Sequence, residues 1–245
     1  MYSSSGIQRY RISHTYFFLM KVVGLTGGIG SGKSTVSRMI QKHNIPIIDS
    51  DLLAREVVQP NKPAYKLIVN HFSREILLED GTLDRAKLRN IIFSDETQRK
   101  LLNKFTHPYI RREILKLVIW YWITGKKAVV LDTPLLIEGG LHKLMGYVIV
   151  VYCSEQIQLH RLMERDNCSE DVARQCMSAQ MPLKEKIKFA DFVIDNSGDL
   201  FETERQVANI LNKVKPSLLN WLLIWLGPPL LVTLPIMYIV TKAIE

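Results

Sequence analysis

The hydrophobic positions of this chain follow two rhythms. Short, nearly continuous apolar runs rich in β-branched residues occupy residues 22–25, 45–48, 128–131, 147–152 and 192–194. Such runs predict strands buried on both faces of a parallel sheet, since a strand with one wet face alternates apolar and polar residues. The intervals between them carry apolar residues at helical spacing, and parallel strands need crossovers of that length. An α/β fold follows, with a doubly wound parallel five-stranded sheet. The interval 52–127 is too long for one crossover. Its periodic Ile68, Phe72, Leu88, Ile91, Ile92, Leu101, Phe105, Ile110, Ile114 and Leu117 predict several helices, forming a helical insertion beside the sheet. A helical pair is predicted at 154–165 and 169–179, with Ser169 as N-cap and Glu170 and Asp171 as an acidic first turn.

The two ends differ in kind from this domain of residues 21–215. Residues 216–241 hold 26 positions without a charge, with Lys213 and Lys215 before them and Lys242 after. About 20 apolar residues cross a bilayer as a helix, so the run predicts a C-terminal hydrophobic membrane segment. Gly227, Pro228, Pro229 and Pro235 interrupt it, leaving a kinked span, a re-entrant hairpin and a buried hairpin as its alternatives. A single C-terminal anchor predicts a membrane-associated protein whose main domain faces the cytosol, on the mitochondrial outer membrane or the endoplasmic reticulum. Residues 1–20 form an N-terminal extension with Arg9 and Arg11 and no acidic residue. It reads either as an organelle-targeting segment or as an unstructured extension.

Composition narrows the chemistry only modestly. A chain of 245 residues, 47% hydrophobic, sustains a sizeable core. The net charge of +8 suits nucleic acid, a membrane surface or a polyanionic small substrate alike. Cys153, Cys168 and Cys176 form no CxxC pair, and the six histidines form no HxH or HxxxH pair. Neither a zinc site nor a protein-built metal cage is expected, so any metal should arrive with a nucleotide.

The motifs decide. Gly27, Gly28, Ile29, Gly30, Ser31, Gly32, Lys33 and Ser34 satisfy GxxxxGK[ST] directly after the first predicted strand and at the opening of a helix. Glycines let backbone N–H groups converge on phosphate oxygens, and the helix N-terminus adds partial positive charge. Lys33 is placed to reach the β- and γ-phosphates of ATP and Ser34 to ligate Mg²⁺, with Thr35 completing the nucleotide-binding run. The fold is therefore of the P-loop NTPase type. Asp49 and Asp51 follow the second strand, at the carboxyl edge where such sheets bind ligands. A carboxylate there can accept a proton from an acceptor hydroxyl, or cap the next helix. Arg55, four residues past Asp51, can hold a substrate phosphate or pair with Asp51. Asp132 ends the third strand and reads either as a Mg²⁺ carboxylate or as the cap of a turn. Arg161 and Arg165 stand one helical turn apart, with Arg174 further on, as in a lid at 154–181 that closes over ATP. His107-Pro108 reads as a substrate-facing pair or as a helix boundary.

In order, these motifs resemble the dephospho-coenzyme A kinase family, and within it the animal branch of membrane-associated proteins that carry this domain. The resemblance covers roughly residues 21–215. It rests on the glycine-rich loop, Ile48-Asp49-Ser50-Asp51 with Ala54-Arg55, Asp80-Gly81-Thr82-Leu83, His107-Pro108, Pro134-Leu135-Leu136-Ile137-Glu138, Arg165-Asp166, Ala179-Gln180 and Val193-Ile194-Asp195-Asn196. It implies transfer of the ATP γ-phosphate to the ribose 3′-hydroxyl of 3′-dephospho-CoA, with Mg²⁺ and no nucleic acid, by a monomer. Asp51, Lys33 and Arg161 would be catalytic, Arg165, Asp195 and Asn196 would serve the ATP site, and Asp49, Arg55, His107 and Gln180 the acceptor. Residues 52–127 would be the substrate-binding insertion. Cys176 stands where many relatives carry an arginine, which implies a weaker lid. The competing readings are another metabolite kinase, such as a nucleoside monophosphate kinase, and a membrane-tethered pseudokinase.

Overall fold

A computed structural model describes residues 20–222 and 225 of the protein. The N-terminal extension, apart from Met20, and most of the predicted membrane segment lie outside the described residues. Among the described residues, no helix is long and apolar enough to cross a membrane.

The chain begins with β1 (Lys21–Gly27), α1 (Lys33–Lys42) and β2 (Ile47–Asp49). Four helices follow: α2 (Ser50–Glu56), α3 (Pro63–Phe72), α4 (Arg85–Ser94) and α5 (Glu96–Ile123). It then returns to the sheet through β3 (Ala128–Asp132) and β4 (Tyr147–Tyr152) and leaves it as α6 (Glu155–Asp166), α7 (Glu170–Ser178) and α8 (Leu183–Ile187). The last elements are β5 (Phe192–Asp195) and α9 (Leu200–Val214). The strands lie in the order β2-β3-β1-β4-β5 and every pairing is parallel. The five expected strands all form, although the second starts at Ile47 rather than Ile45.

Buried strands alternate their side chains between two cores. Val22, Val129, Leu131, Val148 and Val150 pack with Leu53, Val118 and Leu136 on one face. Val23, Leu25, Val130, Ile149 and Val151 meet Val36 and Ile40 of α1 and Val207 and Leu211 of α9 on the other. The helices after β2 close a third core around Ile68, Ile76, Leu83 and Leu88, with Phe105 and Ile110 of α5 at its margin. The helix boundary considered at His107-Pro108 is not there: α5 runs 28 residues straight through Pro108. Its apolar contacts to the third core hold the helix together across the missing N–H.

This topology places the site. Chain order runs from β1 to one side of the sheet and then to the other, so the switch point falls at the carboxyl end of β1. Ligands bind in the crevice that such a reversal opens. Register sets Asp49 opposite Asp132 at the same edge.

Candidate active site

The loop between β1 and α1 is shaped by two left-handed residues, Gly30 at φ 75° and Gly32 at φ 86°. Gly32 is also the N-cap of α1, and no side chain bonds to the helix end there. The amides of that first turn are thus left to an anion. Any Cβ on Gly32 would collide with the Asn196 amide. The space matters because Asn196 is buried beneath the loop, donating to Ser31 O at 2.9 Å while accepting from Thr203 Oγ1 at 3.1 Å. Other distant residues hold the same loop. Gln158 Nε2 donates to Ile29 O at 2.6 Å, and Ile29 N donates to Gln180 Oε1 at 3.0 Å.

Below the loop lies a buried cation that no sequence motif had marked. Lys186, with no side-chain exposure, is 2.9 Å from Glu138 Oε1. It donates to Pro134 O at 2.8 Å and lies 3.5 Å from Gly27 O. Glu138 in turn accepts from Met181 N at 3.3 Å, next to Gln180. A single ammonium therefore joins the end of β1, the loop after β3 and, through Glu138, the segment after α7.

Above the loop is an open cavity of about 440 Å³ lined by the loop residues, Asp51, Pro134, Arg161, Arg165 and Gln180. Asp49 caps α2, its Oδ1 accepting from Asp51 N at 2.8 Å and Leu52 N at 3.0 Å. That leaves the Asp51 carboxyl facing the cavity. Desolvation by the surrounding protein raises its pKa above the ordinary aspartate range, and Asp49 adds to the rise, while Lys33 and Arg55 pull against it. Asp132, almost fully buried, forms an ion pair with Lys33. Burial nonetheless leaves its pKa raised, the opposing pull of Lys33 and the Ser37 hydrogen bond being smaller.

Arg161 and Arg165 of α6 line the same space. Arg161 Nη2 donates to Asn196 O at 3.0 Å, and its buried Nη1 has no partner. Ser31 Oγ is likewise buried and unpartnered. Buried donors are almost always satisfied, so these two beside the glycine cradle suit an anion there. Arg165 is held by Asp166 through two bonds of 2.8 Å. Arg174 pairs with Glu170, and neither it nor Cys176 lines this cavity.

The remaining expected site residues are placed elsewhere. Asp195 accepts from Ser197 N at 2.9 Å, next to the buried Asn196. His107 is an exposed residue of α5, and partial burial of its ring together with Arg111 lowers its pKa. Arg55 lines a second cavity with Arg85 and Arg89. Thr35 begins the intrahelical bonding of α1, its N donating to Gly32 O at 3.0 Å.

Comparison with known proteins gives this arrangement its lineage. The family model described as dephospho-CoA kinase matches residues 21–202. The chain belongs to the dephospho-CoA kinase family. A Danio rerio dephospho-CoA kinase domain-containing protein is 50% identical over 196 residues, 80% of this chain and 86% of the relative. An Arabidopsis thaliana dephospho-CoA kinase is 44% identical over 206 residues, 84% of this chain and 88% of the relative. Among solved structures, a dephospho-CoA kinase from Campylobacter jejuni has a TM-score of 0.56 at 28% identity, covering 80% of this chain and 98% of its own. A Thermus thermophilus protein reaches 0.70 at 29% identity, with 80% and 99% covered. In this dephospho-CoA kinase domain, Gln158, Lys186 and Thr203 escaped the motif reading because each acts on the backbone or through another residue. Polar residues inside helices α6, α8 and α9 were their only signal in the sequence.

Proposed function

We infer that this chain transfers the γ-phosphate of ATP to the ribose 3′-hydroxyl of 3′-dephospho-CoA, releasing ADP and coenzyme A. The observation that carries the reading is the unpartnered, buried Arg161 Nη1 beside the glycine cradle, with the Asp51 carboxyl on the same cavity. An anion and a nucleophile would meet there.

The chemistry needs little beyond positioning and charge. The bond between the acceptor 3′-oxygen and the γ-phosphorus forms as the bond from that phosphorus to the β–γ bridging oxygen breaks. Asp51 orients the hydroxyl and takes its proton, and its raised pKa brings its basicity closer to that task. Lys33 exchanges Asp132 for the phosphate oxygens, and Arg161 offers its free N–H to the charge on the transferring group. Arg165 trades Asp166 for phosphate as the lid closes, which excludes water from the transfer.

The residues present fit Mg²⁺ delivered with the nucleotide. Ser34 and Asp132 offer hard oxygen donors, and no group of three or more His, Cys, Asp or Glu that could hold a metal occurs among the described residues. Two protein oxygens plus phosphates suit a cation that keeps most of its own shell. When bound, Mg²⁺ would neutralise charge on the β- and γ-phosphates.

The test compares phosphoryl acceptors at fixed ATP. Dephospho-CoA should be turned over in preference to adenosine or AMP, and Asp51→Asn should abolish transfer while sparing ATP binding. Equal turnover of the asparagine variant would refute the role of Asp51.

We also propose that residues 216–241 hold this domain at the cytosolic face of an intracellular membrane, the mitochondrial outer membrane or the endoplasmic reticulum. Trp221 and Trp225 stack at 5.6 Å, and Lys127 lies 5.5 Å over the Trp221 ring, so the run starts beside the end of α5. Leu115, Ile119, Trp120 and Ile123 of α5 are exposed, as are Leu218 and Leu219, apolar surface of the kind bilayer interfaces receive. Protease protection with a tag at each end tests the topology; a protected kinase domain would overturn it.

A further inference from the structure

Helix α5 changes character along its outward face. On the inward side, Ile114, Leu117, Tyr121 and Trp122 pack on the sheet core around the buried Val118. The exposed side begins as a surface helix should: from Arg99 to Arg112 it carries charged and polar side chains apart from Pro108. Beyond that point the same stripe turns apolar, with Leu115, Ile119, Trp120 and Ile123 each between 41% and 59% exposed. A helix end that is apolar on both sides belongs against a second apolar phase as well as its own core.

Charge and the course of the chain identify that phase. Arg111, Arg112, Lys116, Lys126 and Lys127 flank the apolar residues, and Glu113, bonded to Lys116 at 2.7 Å, is the only acidic residue from 111 to 127. Long cationic side chains around an apolar stripe that holds a tryptophan suit anionic headgroups above acyl chains. The uncharged run of residues 216–241 starts at the same end: a Cβ on Gly125, in the turn after α5, would meet the rings of Trp221 and Trp225 at 3.6 and 3.8 Å. We propose that the C-terminal third of α5 docks on an anionic bilayer surface, Leu115, Ile119, Trp120 and Ile123 entering the interface and the flanking lysines and arginines meeting the headgroups. The proposal rests on the membrane reading of residues 216–241 and adds to it a second contact and a lipid class. Ala128, which starts β3, is level with Lys21 at the amino end of the sheet. The length of β1 then sets the phosphate loop about 20 Å away, so a docked domain keeps its nucleotide site open to water.

The test uses the full chain reconstituted in vesicles of phosphatidylcholine, alone or with about one-third phosphatidylserine. Ile119→Cys and, as a control about 22 Å back along the same stripe, Lys104→Cys are reacted with a maleimide. Mass spectrometry of the peptides reads each rate and keeps the native Cys153, Cys168 and Cys176 apart. Circular dichroism verifies that the variants are folded. Each Lys or Arg near an anionic surface strengthens docking about fivefold, so the thiol introduced at position 119 should react about tenfold or more slower on phosphatidylserine vesicles than on phosphatidylcholine alone. At position 104 the two rates should agree within about twofold. Adding Arg112→Gln/Lys116→Gln/Lys126→Gln, or about 1 M salt, should restore the phosphatidylcholine rate at position 119. Equal rates there on both vesicles overturn the proposal. Protection that persists in salt gives the face to a second copy of the chain or to its own tail, and overturns it too. Failure of the wild type to float with phosphatidylcholine vesicles would instead remove the membrane reading of residues 216–241. The face is then judged by flotation with the phosphatidylserine vesicles: binding that the triple glutamine variant loses supports it, and no binding by wild type refutes it.

Discussion

Replacing Lys186 by methionine keeps the length of the side chain and removes its charge. The ammonium is fully buried, 2.9 Å from Glu138, 2.8 Å from Pro134 O and 3.5 Å from Gly27 O. Breaking a buried pair by removing one partner costs about 3–5 kcal/mol, chiefly because the other charge is left behind. Two features place this case at the lower end. The Glu138 side chain is 24% exposed and can recruit water, and Pro134 O keeps the Thr26 hydroxyl at 2.9 Å. A loss of about 3 kcal/mol corresponds to a fall in Tm of roughly 6–12 °C for a domain of this size. Differential scanning calorimetry or fluorimetry measures it. The double variant Lys186→Met/Glu138→Gln should recover part of the loss, since it removes the stranded carboxylate, whereas independent residues would add. Because Glu138 also holds Met181 N, the single variant should in addition raise KM for ATP. A Tm within about 2 °C of wild type, or strict additivity in the double variant, would refute the claim that this ion pair ties the loop to the lid.

Three further outcomes are expected. The raised Asp51 pKa puts the acid limb of the kcat/KM profile above the ordinary aspartate range, because the protonated carboxyl cannot accept the hydroxyl proton; Arg55→Ala, which removes a lowering charge, should move that limb to still higher pH in pH–rate measurements. The same shift has a stability consequence: the folded state holds this proton more tightly than the unfolded chain, so the ionised carboxyl is destabilising above the folded pKa and without effect below the unfolded one. Asp51→Asn should therefore match or exceed wild-type Tm at neutral pH and lose that margin in acid, as scanning fluorimetry at both pH values would reveal. Gly32→Ala forces a Cβ into a left-handed backbone and against the Asn196 amide, a strain of about 1–3 kcal/mol, and calorimetry should detect a lower Tm together with weaker ATP binding.

What could be read along the chain is what depends on short-range pattern. Continuous apolar runs announced a parallel sheet, and the glycine spacing announced the phosphate cradle, since both obey rules that act over a few neighbouring residues. The lid helices formed within a residue or two of expectation for the same reason, with Ser154 capping α6 through Ile157 N at 3.3 Å. Ser169 occupies the expected N-cap, yet its hydroxyl makes no capping bond. The boundary reading of Pro108, one of two left open, fails because a local breaker was outweighed by packing on both sides of it.

The division of labour between Asp49 and Asp51 was open in the sequence, where either carboxylate could cap or react. Only the geometry of α2 assigned the cap to Asp49 and left Asp51 on the cavity. Asn196 reaches Ser31 from 165 positions away, and Lys186 reaches Gly27 from 159. Arg55 meets Arg85 and Arg89 only because α2 and α4 pack against the same long α5. The sequence by itself determined the sheet, the phosphate loop and the class of chemistry. Tertiary structure alone decided which polar side chains support that loop. Such contacts follow from how the helices close over the strands, and no spacing along the chain encodes them.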